Sequence, residues 1–424
     1  MDVIIENKKT GIDVIPKNWR IDCIGNFAHT TAGGTPSTKN PSFWGGNFLW
    51  MNSGELNNKF IYNVEGRITE LGLNNSSTKY IPEKCVLIGL AGQGKTRGTA
   101  AINFVQLCTN QSIAAIFPND KFIPEYLYYY LDSKYQNLRD LSSGGSGRGG
   151  LNLQIINSIH IPLPPLPEQR AIAKALSDVD ALITALDALI AKKRAIKQGV
   201  MQALLTGKRR LPGFSGEWTS YTLGQLFDIS GGFSASREQL SSEGYCYLHY
   251  GDIHLSNKTY IDVQSEYEEI PKLNIPLNKV ARNSLLDDGD IVFVDASEDD
   301  NGASKHMVII NKGNTPFISG LHTIVAKKKT DLMDHNYLRY CFQIADIKRQ
   351  FRFYAVGTKV TGISKTNIKK IILTIPSFPE QKEISTILID HDLEITGLDN
   401  TLNKSKTIKQ GMMQELLTGR TRLV

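Results

Sequence analysis

Apolar residues recur along this chain at two alternating periods. From Pro164 onward, Ile172, Leu176, Val179, Ile183, Leu186 and Ile190 step by four and three, the a/d seam of a helix packed along one narrow line against another. Ile384, Leu388, His391, Ile395, Leu398 and Leu402 repeat the spacing. A lone amphipathic helix on a globular core would show a broader apolar stripe. Both segments carry the same punctuation: Pro167 or Pro379 in the first turn, followed by Glu168-Gln169 or Glu380-Gln381, and a Thr-Gly stop at Thr206-Gly207 or Thr418-Gly419. At a rise of about 1.5 Å per residue, each helix should be roughly 55 to 60 Å long. Gly199 and Gly411 lie inside the two helices and predict a kink or a close crossing, with simple tolerance as the alternative.

Between the helical segments the pattern changes to short β-rich runs separated by Gly, Asn, Asp and Pro. Cys85 to Ala91, Ser112 to Phe117, Asp290 to Val294, Met307 to Ile310 and His322 to Ala326 predict strands. Pro124 to Leu131 and His335 to Ile344 predict helices whose aromatic runs, YLYYYL and YLRYCF, belong to a core. Both β-rich regions open alike, at Trp19 to Gly25 and Trp218 to Gly224. Both close on a Gly-rich stretch leading into an apolar strand that ends near Pro162 or Pro376.

The chain therefore repeats itself. Pro164 to Leu211 returns without a gap as Pro376 to Leu423, so that Lys197-Gln198-Gly199 reappears as Lys409-Gln410-Gly411. So long a period marks duplication of a whole domain with its helix, not a solenoid. The predicted fold is α+β, with two similar α/β domains separated by two long antiparallel coiled-coil helices. Its divisions are 1–163 (first domain), 164–213 (central helix), 214–376 (second domain) and 377–424 (C-terminal helix). Because each helix begins where a domain ends, the connections predict a dumbbell with pseudo-two-fold symmetry.

Composition narrows the function. A chain of 424 residues, 41% hydrophobic and 21% charged, is ordinary for a folded soluble protein, and its net charge of +6 is compatible with a polyanionic partner. Cys23, Cys85, Cys108, Cys246 and Cys341 stand far apart, with no CxxC pair or nearby His, which argues against a zinc site and a disulfide framework. No apolar run approaches the roughly 20 residues that cross a bilayer. The expected location is the cytoplasm.

A stiff rod carrying two similar but unequal domains suits a ruler on DNA, whose helix repeats about every 34 to 36 Å, so that the two domains meet half-sites about one helical turn apart. It predicts an asymmetric, bipartite target with an unread gap. Candidate DNA-binding residues are Thr35, Gln93, Lys95, Thr96, Arg97, Ser146 and Arg148 in the first domain. Those in the second are Ser297, Asn301, Lys305, His306, Thr358 and Lys359. Such side chains read base edges or bind phosphate, and the sequence leaves both open.

Residues 89 to 96, GLAGQGKT, also fit a phosphate-loop template, and Ile291 to Asp295 resembles a magnesium-positioning strand. Two features oppose a nucleotide hydrolase: TRGTAAINFVQ has no amphipathic helical period, and the two half-motifs occupy equivalent strands of different domains. Asp295, Glu298, Asp299 and Asp300 form an acidic loop without a lysine partner at nuclease spacing. His249 and His254 suit local hydrogen bonding rather than a zinc pair. No catalytic, cofactor-binding or metal residue is expected.

The segments LPPLPEQRAIAKAL and IPSFPEQKEISTIL, closed by KQGVMQALLTGKRRLPGF and KQGMMQELLTGRTRLV, resemble those of specificity subunits of type I restriction-modification systems over essentially the whole chain. Supporting matches are Gly33-Gly34-Thr35-Pro36-Ser37 with downstream Trp50, and Gly231-Gly232 with downstream Gly251-Asp252-Ile253. The resemblance implies a non-catalytic DNA-recognition subunit whose domains each read half of a split site. It implies partners too: double-stranded DNA, two modification subunits docked on the helices, and restriction subunits in the same assembly. S-adenosylmethionine, ATP and magnesium would reside on those partners. The alternatives are a phosphate-loop hydrolase and a stand-alone bipartite DNA-binding regulator.

Overall fold

The computed structural model describes residues 7–9, 14–92, 94–142, 150–256, 258–297, 305–357 and 361–423. It divides into two compact units, Met1–Ala188 with Asn400–Val424, and Leu189–Asp399. Each unit thus contains one β-rich domain and a part of both long helices, so the division cuts across the helices instead of setting them apart.

In the first unit the framework strands are β1 (Arg20–Cys23), β2 (Thr30–Ala32), β3 (Trp44–Met51), β4 (Phe60–Ile61), β5 (Val86–Gly89), β6 (Ala100–Asn103), β7 (Leu107–Thr109), β8 (Ile113–Ile116) and β9 (His160–Leu163). A five-stranded sheet runs β2-β8-β5-β6-β4, with β5 antiparallel to both neighbours. Every residue of β5 is buried. Val86 and Ile88 pack with the tyrosines of the helix Pro124–Ser133, while Leu87 packs on the opposite side with Met51 and Leu56. Burial on both faces explains why this strand is a continuous apolar run rather than an alternation.

The second unit repeats the plan with β10 (Thr219–Thr222), β11 (Phe227–Gly231), β12 (Tyr245–Leu248), β13 (Tyr260–Asp262), β14 (Ile291–Val294), β15 (Ala296–Ser297), β16 (His306–Ile310), β17 (Phe317–Ser319), β18 (Thr323–Lys328), β19 (Thr361–Gly362) and β20 (Ile372–Ile375). Its five-stranded order, β11-β18-β14-β16-β13, matches that of the first unit strand for strand. Likewise β1 pairs with β9, and β10 with β20, where each domain meets a long helix. The outer four-stranded sheets differ. In the first unit β3 lies between Arg67–Ile68 and β7, whereas in the second β12 lies between Lys272–Leu273 and β17. The duplicated framework is uniform at its centre and divergent at its periphery.

The long helices are Leu166–Leu205 and Phe378–Leu416. Along the predicted seam, Ile172, Leu176, Leu186, Ile190, Ile384, Leu388, Ile395 and Leu402 are buried. Val179, Ile183 and Leu398 are half-buried, as is His391. Ion pairs fix the direction. In the first unit Asp180 meets Lys409 at 2.7 Å and Glu168 meets Arg422. In the second, Lys193 meets Glu394 at 2.5 Å, Lys197 meets Asp392 at 2.5 Å and Arg210 meets Glu380 at 2.6 Å. Partner numbers fall on one helix as they rise on the other, so the helices run antiparallel within each unit.

The repeated motifs now have physical roles. Asp180 also accepts from Tyr129 Oη at 2.8 Å, and Asp392 from Tyr340 Oη at 2.7 Å, so each Lys-Gln-Gly lysine joins the partner helix to an aromatic domain helix. The Gln169 side chain accepts from the Ile123 N–H and donates to the Pro164 carbonyl, while Gln381 does the same with Asp334 and Pro376. Gly207 (φ 68) and Gly419 (φ 73) adopt the left-handed conformation that ends a helix. The close crossing predicted at Gly199 and Gly411 is corrected: a Cβ at either position would meet nothing within 4 Å, and both helices continue through them. These glycines are simply tolerated.

Candidate nucleic-acid interface

At one end of each five-stranded sheet, backbone hydrogen bonds gather four separate segments. In the first unit the Leu90 N–H donates to Ser112, the Leu151 N–H to Leu90, the Gly33 N–H to Ile113 and the Gly34 N–H to Thr109. In the second, Asp295 N–H donates to His322, Ile363 N–H to Asp295, Gly232 N–H to Thr323 and Phe233 N–H to Ser319. The same four connections thus build both edges. Each joins the loop after the central strand, a glycine turn, the chain following the Gly-rich stretch and the turn before the neighbouring strand. Pairing of β15 with β19 adds a fifth link in the second unit.

In the first unit the edge includes Thr35, whose hydroxyl donates to Gln111 Oε1 at 2.5 Å. Lys95 is exposed, while Thr96 and Arg97 are half-buried. Their loop is fastened to the helix Tyr135–Leu141: Tyr135 Oη donates to the Lys95 carbonyl at 3.0 Å, and Arg139 Nη1 to the Gly94 carbonyl at 2.7 Å. The loop is therefore supported from beneath by residues that the sequence did not single out. Gln93, Ser146 and Arg148 lie outside the described residues.

In the second unit Ser297 lies in β15, opposite Thr361 of β19. Lys305 Nζ donates to the His254 carbonyl at the end of the short helix Tyr250–Leu255. His306 is only 5% exposed, with its ring 4.9 Å from Phe342 and 5.9 Å from Phe293. The structure gives it a packing position in the core rather than a place on the loop edge. Asn301, Thr358 and Lys359 fall outside the described residues, as do Glu298, Asp299 and Asp300.

A second group surrounds the same edge, in which the sequence assigned His249 only local hydrogen bonding and Asp295 only a place in an acidic loop. His249 and Tyr250 follow β12, His322 precedes β18, Asp295 follows β14, and Arg237 lies on a nearby turn. Arg237 Nη2 is 3.2 Å from Asp252 Oδ1, and His322 Nδ1 is 3.6 Å from Asp295 Oδ1. The signal for them was positional: alignment of Gly54-Glu55 with Gly251-Asp252 places His249 opposite Asn52.

The phosphate-loop reading fails on local structure. After Thr96 the chain turns at Gly98 (φ 80) and enters β6, which pairs antiparallel with β5, so a hairpin stands where phosphate binding needs the start of a helix. Asp295 meets His322 in the other unit, as the repeat alignment required. Among the described residues, no group of three or more His, Cys, Asp or Glu could hold a metal ion, and no helix is long and apolar enough to cross a membrane.

The family described as "Type I restriction modification DNA specificity domain" matches residues 16–197 and again 215–407. The chain belongs to this family. Its two copies coincide with the two duplicated frameworks. Among curated relatives, the MjaIX specificity subunit of Methanocaldococcus jannaschii is 36% identical over 183 residues, covering 42% of this chain and 41% of that protein. The HindI specificity subunit of Haemophilus influenzae is 30% identical over 153 residues, or 35% of this chain and 33% of that protein. The chain thus spans less than half the length of these two. The MjaVIII specificity subunit of M. jannaschii matches at 23% over 96% of this chain and 94% of its own. A type I restriction-modification S subunit from M. genitalium shares the fold, with a TM-score of 0.56 at 16% identity over 94% of this chain and 96% of its own.

Proposed function

We propose that this chain is the non-catalytic specificity subunit of a type I restriction-modification complex, reading a bipartite asymmetric DNA target with one half-site per domain. The observation carrying this reading is the duplicated loop edge, in which one backbone frame presents different polar side chains in each unit. Two readers of unequal composition require two unequal half-sites, and the paired helices would set the unread gap between them. Modification subunits would dock on those helices and carry S-adenosylmethionine, while restriction subunits would bring ATP and magnesium. The complex would work in the cytoplasm.

The experiment is to co-express the chain with its modification subunits and map methylated bases across a random-sequence DNA library. The expected result is methylation at one split motif with a fixed gap, and none when this chain is omitted. Methylation without sequence preference would refute the reading. ATP turnover by the isolated chain, abolished by Lys95→Ala, would instead restore the hydrolase.

A further inference from the structure

The duplication allows the two edges to be compared position by position. Asn110 N–H donates to the Met51 carbonyl where Gly320 N–H donates to Leu248, and Leu90 N–H donates to Ser112 where Asp295 N–H donates to His322. This register sets Asn52, Ser53 and Ser112 of the first unit level with His249, Tyr250 and His322 of the second. The turn itself is the same in both. Gly54 N–H donates to Asn52 Oδ1 at 2.8 Å, and Gly251 N–H donates to His249 Nδ1 at 3.0 Å. Asparagine closes the turn adequately, so the fold does not require a histidine there, nor rings at the other two positions.

The geometry fixes the chemistry of His249. Arg237 Nη2 lies 3.4 Å from the same Nδ1, and with two donors directed at that atom the ring proton belongs on Nε2. Burial, together with the facing Arg237 guanidinium, holds the ring below its ordinary pKa against the opposing pull of Asp252. His249 is therefore a neutral imidazole with one defined N–H donor. The Tyr250 ring lies 4.6 Å from it and 5.5 Å from the His322 ring, making a contiguous cluster. Tyr250 is 37% exposed, and the His322 side chain 55%.

We infer that His249, Tyr250 and His322 form the base-reading surface of the second unit, with His249 Nε2–H donating to an acceptor on a base edge. Purine N7, guanine O6 and thymine O4 are the major-groove acceptors that such a donor fits. A neutral ring offers little to a phosphate, whose recognition rests on cations such as the neighbouring Arg237, so His249 itself suits readout rather than a hold on the backbone. The inference rests on the DNA-recognition function proposed above.

The test uses the assembled modification complex and methylation mapping over a random library. Single variants His249→Asn and His322→Asn are compared with a triple variant carrying His249→Asn, Tyr250→Ser and His322→Ser. Asparagine suits both single sites: it already closes the equivalent turn at position 52, and it tolerates the left-handed backbone of His322 (φ 59). The expected result is an about tenfold change in preference at one or two adjacent bases of one half-site, with the other half and the gap unaltered. An unchanged motif, or uniform weakening at every sequence, overturns the inference. Loss of all methylation by the single variants while the complex still assembles also overturns it. Absence of any motif with the unaltered chain would instead refute the proposed function.

Discussion

Replacing Arg422 by alanine should be among the most damaging single changes in the first unit. Its guanidinium grips Glu168 through Nε and, at 2.7 Å, through Nη2. The two side chains are only 10% and 1% exposed. Removing one partner of a buried pair strands the other charge, at a cost of about 3 to 5 kcal/mol. Trp19 Nε1 would still donate to Glu168 at 3.1 Å, which places the expected loss near the lower end, at about 3 kcal/mol. For a folded unit of this size, each kcal/mol moves the melting temperature by about 2 to 4 °C, so a fall of roughly 6 to 12 °C follows. Differential scanning calorimetry of the full chain reads this directly, and Glu168→Gln added to Arg422→Ala should recover part of the loss. A melting shift below about 2 °C for Arg422→Ala would refute the claim that this clasp secures the helix ends.

Further outcomes are specific. Adding or deleting about one helical turn between Ala191 and Lys197 should change the gap in the methylated target, as read by sequencing of modified DNA. Arg97→Ala and Arg148→Ala should weaken DNA binding by the assembled complex, evenly across sequences for a phosphate contact or at one base position for readout, measured by salt-dependent binding titrations. Because the folded pKa of His249 is depressed from 6.5, the unfolded chain takes up its proton first as pH falls. The corresponding stability is complete above that value and is lost as pH drops from it towards the lowered folded pKa. His249→Asn should flatten this dependence in urea unfolding of the full chain compared at neutral pH and about pH 5.5.

The long helices were legible because their defining residues repeat at fixed positions with fixed tasks. Glu168 and Glu380 bind arginines, Gln169 and Gln381 cap neighbouring backbone, and Lys409 and Lys197 meet Asp180 and Asp392. The central strands were equally clear, since β5 and β14 are buried on both faces. What escaped was long-range. Nothing local to Arg210 or Arg422 announces a partner at Glu380 or Glu168, and the support of the Lys95 loop by Tyr135 and Arg139 depends on tertiary packing. His306 was misleading because it stands beside a polar loop, yet alternation along β16 turns it towards Phe293 and Phe342. The His249 cluster became visible only when the two frameworks were laid in register.

Exchange of residues 214–376 for the corresponding domain of a family member with a different target provides the most direct test. Methylated sites would be mapped in the assembled complex before and after the exchange. Independent half-site readers predict that one half of the motif changes completely, while the other half and the gap persist. Alteration of both halves, or of neither, would contradict the account.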